Sequence, residues 1–119
     1  MARKVLVADD EAIIRNYVTR ALGGRGFEVT AVPDGAAAIE AARAEEFGLL
    51  VCDLKMPDMR GERAIEEVQK LRPAIKVIVI TGSVSDVKNP LAPRVRADGV
   101  LLKPFGIDEI RALAAKLLP

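Results

Sequence analysis

Brief runs of Val, Ile and Leu recur along the chain at residues 5–8, 29–32, 49–52, 77–80 and 100–102, none interrupted by a charge. Runs this short and apolar predict strands buried on both faces, as in a parallel sheet. Between them the apolar positions take up helical spacing. Ile14, Tyr17, Val18, Ala21 and Leu22 form one stripe, Ala64, Ile65, Val68 and Leu71 another, and Ile107, Ile110, Leu113, Ala114 and Leu117 a third. The punctuation agrees: Gly23-Gly24 can end the first helix, Asp34 can cap the second, and Pro73 stops the third.

Strand and helix therefore alternate, which predicts an α/β fold, a single doubly wound five-stranded parallel sheet with helices on both faces. The fourth crossover, residues 83–98, is the exception. Its Asn89-Pro90 and Ala92-Pro93 steps remove backbone donors and push the preceding residues out of helical angles, so the fourth helix is expected to be irregular or shortened. Gly23-Gly24-Arg25-Gly26 follows a helix instead of opening one and reads as a turn.

Length and composition narrow the classes. A chain of 119 residues suits one domain, and the apolar half of the composition is enough for a modest core. Lys plus Arg (18) nearly balance Asp plus Glu (17), so the charge points to no nucleic-acid or membrane partner. One cysteine, Cys52, excludes an internal disulfide and reads as a small buried hydrophobe. Only four apolar residues separate Lys4 from Asp9, too few for a signal peptide, and a cytoplasmic location is expected. With no histidine anywhere, neither a His base nor a His metal ligand is available.

Polar groups gather where the strands end. Asp9 and Asp10 follow the first strand, Asp53 the third, Thr81 the fourth and Lys103 the fifth. Ligands of parallel α/β sheets bind outside the carboxyl ends of the strands, at the switch point. In the flavodoxin-like strand order 2-1-3-4-5, strands 1 and 3 are neighbours and the three carboxylates fall within reach of one another. Three close anions need an offsetting cation. Lys103 supplies one charge, and an all-oxygen donor set suits a hard ion, with Mg²⁺ favoured by the small number of carboxylates. A carboxylate is ionised at neutral pH, so Asp53 needs no adjacent base to act as a nucleophile.

The acidic pair, the Asp of DLKMPDMRG, Thr81 and Lys103-Pro104-Phe105, in that order and at that spacing, resemble the receiver domain of two-component response regulators over essentially residues 1–119. The resemblance implies that Asp53 is the phospho-acceptor. It implies that Asp10 and the Lys55 backbone carbonyl help to ligate Mg²⁺, that Asp9 assists partly through water, and that Thr81 and Lys103 contact the phosphoryl group. It further implies no external substrate turnover, with catalysis limited to the chain's own phosphorylation and dephosphorylation. The implied partners are a sensor histidine kinase or a histidine phosphotransfer protein, then a downstream protein target or an effector domain beyond Pro119. Lys103-Pro104 is often cis in this family. Two positions depart from its pattern: Val100 stands where Tyr or Phe is usual, and Gly82 where Ala is common. An output that depends on loop order is the expectation.

Simpler readings compete for each residue. Asp9, Asp10 and Glu11 can merely cap the first helix, Thr81 can end a strand, and Lys103, Arg94 and Arg96 can be solvated charges. At the level of function, the alternative is a binding module with the receiver fold that ignores phosphorylation. A metal-dependent phosphatase is disfavoured, because no second Asp stands two residues after Asp53 and no cap domain is present.

Overall fold

The computed structural model describes residues 3–82 and 96–119. Along these run β1 (Arg3–Ala8), α1 (Ala12–Gly23), β2 (Phe27–Val32), α2 (Gly35–Ala44), β3 (Leu49–Asp53), α3 (Gly61–Leu71), β4 (Lys76–Thr81), β5 (Gly99–Leu102) and α4 (Ile107–Leu117). The strands pair in the order β2-β1-β3-β4-β5, every pair parallel. Each apolar run of the sequence is a strand, as expected. The proline-broken part of the fourth crossover, including Arg94, lies outside the described residues.

Because side chains alternate along a strand, the sheet buries two separate cores. Leu6, Ala8, Leu50, Cys52, Val77 and Val79 face α2 and α3, where Ala38, Ala42, Ala64, Ile65 and Val68 meet them. Val5, Val7, Leu49, Val51, Ile78, Ile80 and Leu101 face α1 and α4, against Val18, Ala21, Leu22, Ile110 and Ala114. Burying one such Val, Leu or Ile is worth roughly 1.5–3 kcal/mol, so the central strands anchor everything above them.

Burial on both faces holds only for β1, β3 and β4. The edge strands differ from the expectation: Glu28 and Ala31 of β2 are exposed, and Val100 and Leu102 of β5 are 44% and 42% exposed. An edge strand has a sheet neighbour on one side only, so an apolar run does not guarantee cover there. Ile107, assigned to the last helical stripe, is likewise exposed.

Local signals behave as their chemistry requires. Asp34 is the N-cap of α2 and accepts from the Ala37 amide at 2.8 Å. α1 ends at Gly23, and Gly26 in the following turn has φ 84°. Arg72, before Pro73, leaves helical angles and closes α3. Arg96 is not a solvated charge: its guanidinium pairs with Asp98 at 3.3 Å and donates to the Ile75 carbonyl. Asp98 in turn accepts from the Val77 amide at 2.9 Å, which seats the chain beside β4 before β5 begins.

The turn from β3 into α3 brings backbone unusually close to backbone. The Gly61 amide donates to the Leu54 carbonyl at 2.9 Å, and Lys55 and Arg60 form an antiparallel bridge. A Cβ on Gly61 would sit 2.3 Å from the Asp53 carbonyl oxygen and 2.6 Å from Leu54 Cα, where no side chain can move aside. Gly61→Ala is therefore expected to cost about 1–3 kcal/mol of overpacking strain. Urea denaturation measures it, and a loss below about 0.5 kcal/mol would contradict the close approach.

Candidate functional site

The register of the central strands decides which side chains meet at the rim. Ala8 lies opposite Cys52, so Asp9 and Asp53 are the next residues on adjacent strands. Residues 49, 51 and 53 of β3 share one face, as do 5, 7 and 9 on β1 and 101 and 103 on β5. Asp9, Asp53 and Lys103 thus step off three strands toward the α1/α4 side. Asp9 is fully buried and Asp53 5% exposed, although each is an acid.

What offsets this burial is one ammonium group. Lys103 Nζ lies 3.0 Å from Asp53 Oδ2, 3.1 Å from Asp9 Oδ2 and 3.7 Å from Glu11 Oε2. Backbone donors take the other oxygens: the Lys55 amide reaches Asp53 Oδ1 at 3.1 Å and the Glu11 amide reaches Asp9 Oδ1 at 2.8 Å. Arg15 donates to the Asp9 carbonyl at 2.8 Å. Asp9 Oδ2 faces Lys103 away from hydrogen-bond geometry and is buried with no hydrogen-bond partner.

Lys103 is held from both sides. Its amide donates to the Thr81 carbonyl at 2.8 Å, joining β5 to the end of β4. The Lys103-Pro104 bond is cis, and the next residue, Phe105, is buried against Tyr17 in an edge-to-face contact with ring centroids 5.6 Å apart. The Tyr17 hydroxyl donates to the Phe105 carbonyl at 3.0 Å.

Electrostatics follow from this crowding. Burial pushes the Asp9 carboxyl above its usual range, opposed by the Glu11 amide and Lys103 and reinforced by the Asp53 charge. Burial pulls the Lys103 ammonium down, yet its hydrogen bond to Asp53 and its attraction to Asp9 outweigh that and hold it above the ordinary lysine value. Burial also drives the Cys52 thiol far up, with the Asp53 charge adding to it, so this cysteine is an inert core residue as expected.

Carboxylate oxygens of Asp9, Asp10 and Asp53 all come within 4.8 Å of one another. Asp10 is the exposed member. The set fits a hard divalent cation on its own terms: it offers oxygen only, one oxygen is buried and unbonded, and a single lysine faces more than one acid. Helix capping does not account for the cluster. The N-cap of α1 is Glu11, and no side chain makes the capping bond there.

Residues 5–115 match the model of the response regulator receiver domain. The chain belongs to the response regulator receiver family. It is 32% identical to the response regulator receiver protein CpdR of Brucella abortus over 98% of this chain and 97% of that one. It is 34% identical to NtrC of Escherichia coli over 96% of this chain, but over only 24% of that longer transcriptional regulator. Among solved structures, CheY4 of Vibrio cholerae superposes with a TM-score of 0.90 at 28% identity, covering 99% of this chain and all of that one. TrrA of Thermotoga maritima, solved in complex with Mg²⁺-BeF, gives 0.87 at 27% identity, covering 99% and 100%. Receiver domains are signalling phospho-acceptors of two-component systems, and the family binds Mg²⁺ at an acidic cluster of this kind. Among the described residues, no helix is long and apolar enough to cross a membrane.

Asp9, Asp10, Asp53 and Lys103 meet at this rim of the receiver domain, whereas Arg96 is bound elsewhere in the fold and Arg94 lies outside the described residues. Thr81, 1% exposed, ends β4 beside Lys103. Arg15 and Asp58 carry no sequence signal, Glu11 reads only as a possible helix cap, and Tyr17 only as part of an apolar stripe. Glu11 sits beside the acidic pair and only its distance to Lys103 gives it a part, while the other three act through contacts 6, 88 and 22–23 residues away along the chain. No local spacing signals those.

Lys103→Met leaves two buried carboxylates without their shared cation, and is expected to cost about 1–3 kcal/mol, less than a fully buried pair because the lysine is 16% exposed. Millimolar Mg²⁺ should recover part of that loss in thermal denaturation; a loss unchanged by Mg²⁺ would contradict the cation-fitting geometry. Asp10→Ala, at an exposed position, should change stability by less than about 0.5 kcal/mol, and a larger fall would mark Asp10 as part of the α1 cap.

Proposed function

We propose that residues 1–119 form one receiver domain that accepts a phosphoryl group on the Asp53 carboxylate from a phosphohistidine donor, in a Mg²⁺-dependent reaction. The observation that carries this reading is a nearly buried carboxylate, 5% exposed, ion-paired to Lys103 at 3.0 Å and grouped with the oxygens of Asp9 and Asp10.

Asp9, Asp10, Asp53 and the Lys55 backbone carbonyl would hold Mg²⁺, with Asp9 acting partly through water. When bound, the ion supplies positive charge against the phosphoryl oxygens, which is most of what phosphoryl transfer asks of a protein. The chain's own residues do the rest. An Asp53 oxygen forms a bond to phosphorus while the bond from phosphorus to the donor imidazole breaks, and the departing nitrogen carries a proton drawn from solvent. Lys103, already poised on Asp53 Oδ2, turns to the oxygens of the transferred group. Hydrolysis reverses the state: water attacks phosphorus, and the Asp53 carboxylate and inorganic phosphate are released. With no histidine in the chain, the donor imidazole lies on a sensor kinase or phosphotransfer protein in the cytoplasm, or a small acyl phosphate replaces it.

The output is read from the Thr81 end of the sheet. A Thr81 hydroxyl bonded to the phosphoryl group biases the backbone that follows it, and a protein-binding surface changes with it. At Val100 there is no aromatic ring to rotate, so the change travels through loop order. The target is a separate protein or an effector domain.

Incubation with acetyl phosphate and Mg²⁺ should add the mass of one phosphoryl group. The gain should vanish in Asp53→Asn, vanish with chelator, and fall sharply in Asp10→Ala. Inertness of the folded wild-type chain toward acetyl phosphate and beryllofluoride alike would overturn the reading in favour of a phosphorylation-independent binding module.

A further inference from the structure

The loop between β3 and α3 carries the Lys55 carbonyl, and its far end is tied to the start of α2. Asp58 Oδ1 accepts from the Gly35 amide at 3.1 Å and Asp58 Oδ2 from the Ala36 amide at 2.9 Å. Those amides belong to the first turn of α2, whose next donor, the Ala37 amide, is taken by Asp34. Two carboxylates therefore satisfy three of the donors that a helix start leaves open, and one of them arrives from another loop. Met59 adds packing to the same junction: a Cβ on Gly35 would lie 2.5 Å from Met59 Cγ, so the loop rests directly on the helix start.

The near end of the loop is pinned as well. Lys55 bridges Arg60, the Gly61 amide holds the Leu54 carbonyl, and the Lys55 amide holds Asp53 Oδ1. A backbone carbonyl has no rotamer of its own, and its direction is that of the loop. A loop of this length closed only at its base can pivot; tied at its tip through two charge-assisted bonds into a helix start, it cannot. The Ala36 amide, the stronger influence, and the Gly35 amide hold the Asp58 carboxyl below its usual range, as expected for an acceptor kept ionised by these bonds.

We propose that Asp58 is a positioning residue: by strutting the loop at residues 55–60 against the start of α2, it sets the Lys55 carbonyl and the Lys55 amide in place for the Asp53 site before any ion binds. This rests on the reading of Asp53 and Lys55 given above, and it makes the α2 start a mechanical neighbour of the phospho-acceptor site.

The test compares wild type, Asp58→Ala and Asp58→Asn by amide hydrogen exchange without metal, then by Mg²⁺ titration followed through amide shifts. In Asp58→Ala the Lys55 and Gly61 amides should exchange at least about tenfold faster while Val51 and Ile78 in the core keep their protection, and the Mg²⁺ dissociation constant should rise about tenfold. Asp58→Asn, which keeps one acceptor oxygen and the shape, should fall between, and it decides the matter if the alanine variant does not fold. Faster exchange confined to Gly35 and Ala36, with Lys55 and Gly61 unchanged, would reduce Asp58 to a cap of α2 and overturn the proposal. If wild type binds no Mg²⁺, the metal reading fails separately, and the exchange of Lys55 and Gly61 still decides whether the strut exists.

Discussion

One lysine ammonium set between two buried carboxylates is the interaction on which the rest of this rim depends. Lys103 faces Asp53 and Asp9 at 3.0 and 3.1 Å, and neither acid has enough other donors to be buried as an anion without it. A buried pair of this kind is poor evidence for stability, because desolvating the charges consumes much of what their attraction returns. Its worth lies in placement. The sheet holds two acids and a base in one small volume, with an exposed third acid beside them, so that a ligand bearing complementary charge finds the geometry already made.

That placement is produced by apolar packing below it. β1, β3 and β4 are buried on both faces, and their register puts Ala8 across from Cys52 and Asp53 across from Ile80. A shift of one residue in any pairing would turn a carboxylate to the opposite face. Such a slip would also expose a row of Val, Leu and Ile, which makes it costly, and the core therefore guards the site's chemistry without touching it. The edges obey weaker constraints, and the exposed Val100 and Leu102 show it. The loops repeat the division of labour: Gly61 permits a close return of backbone on β3, Tyr17 and Phe105 hold the segment after Lys103, and Asp58 ties the β3–α3 loop to α2.

Family membership and local physics agree here without being the same argument. The receiver family is established by a match over residues 5–115 and by close superposition on chains such as CheY4. Asp53 as the proposed phospho-acceptor rests instead on its own surroundings: a nearly buried carboxylate with a lysine on one oxygen and a backbone amide on the other.

Much was legible from the chain alone. The period of the apolar residues sufficed for five strands, three of the four described helices and their two-sided packing, with Asp34 marking the start of the other, because alternation, helical spacing and capping are local properties of the chain. Polar residues placed directly after apolar runs were enough to find Asp9, Asp10, Asp53, Thr81 and Lys103, since the carboxyl ends of parallel strands share one edge. The expectation of a hard-cation site followed from oxygen donors in a chain without histidine, and the grouping of Asp9, Asp10 and Asp53 fits it. Tertiary structure alone decided how far the edge strands are uncovered, that Lys103 pairs with Asp9 and Glu11 as well as Asp53, that Arg96 is bound into the fold, and that Asp58 reaches Gly35 and Ala36. Those facts join residues far apart in sequence or depend on which neighbour a strand lacks. No spacing along the chain encodes them, because they come into being only when the sheet closes.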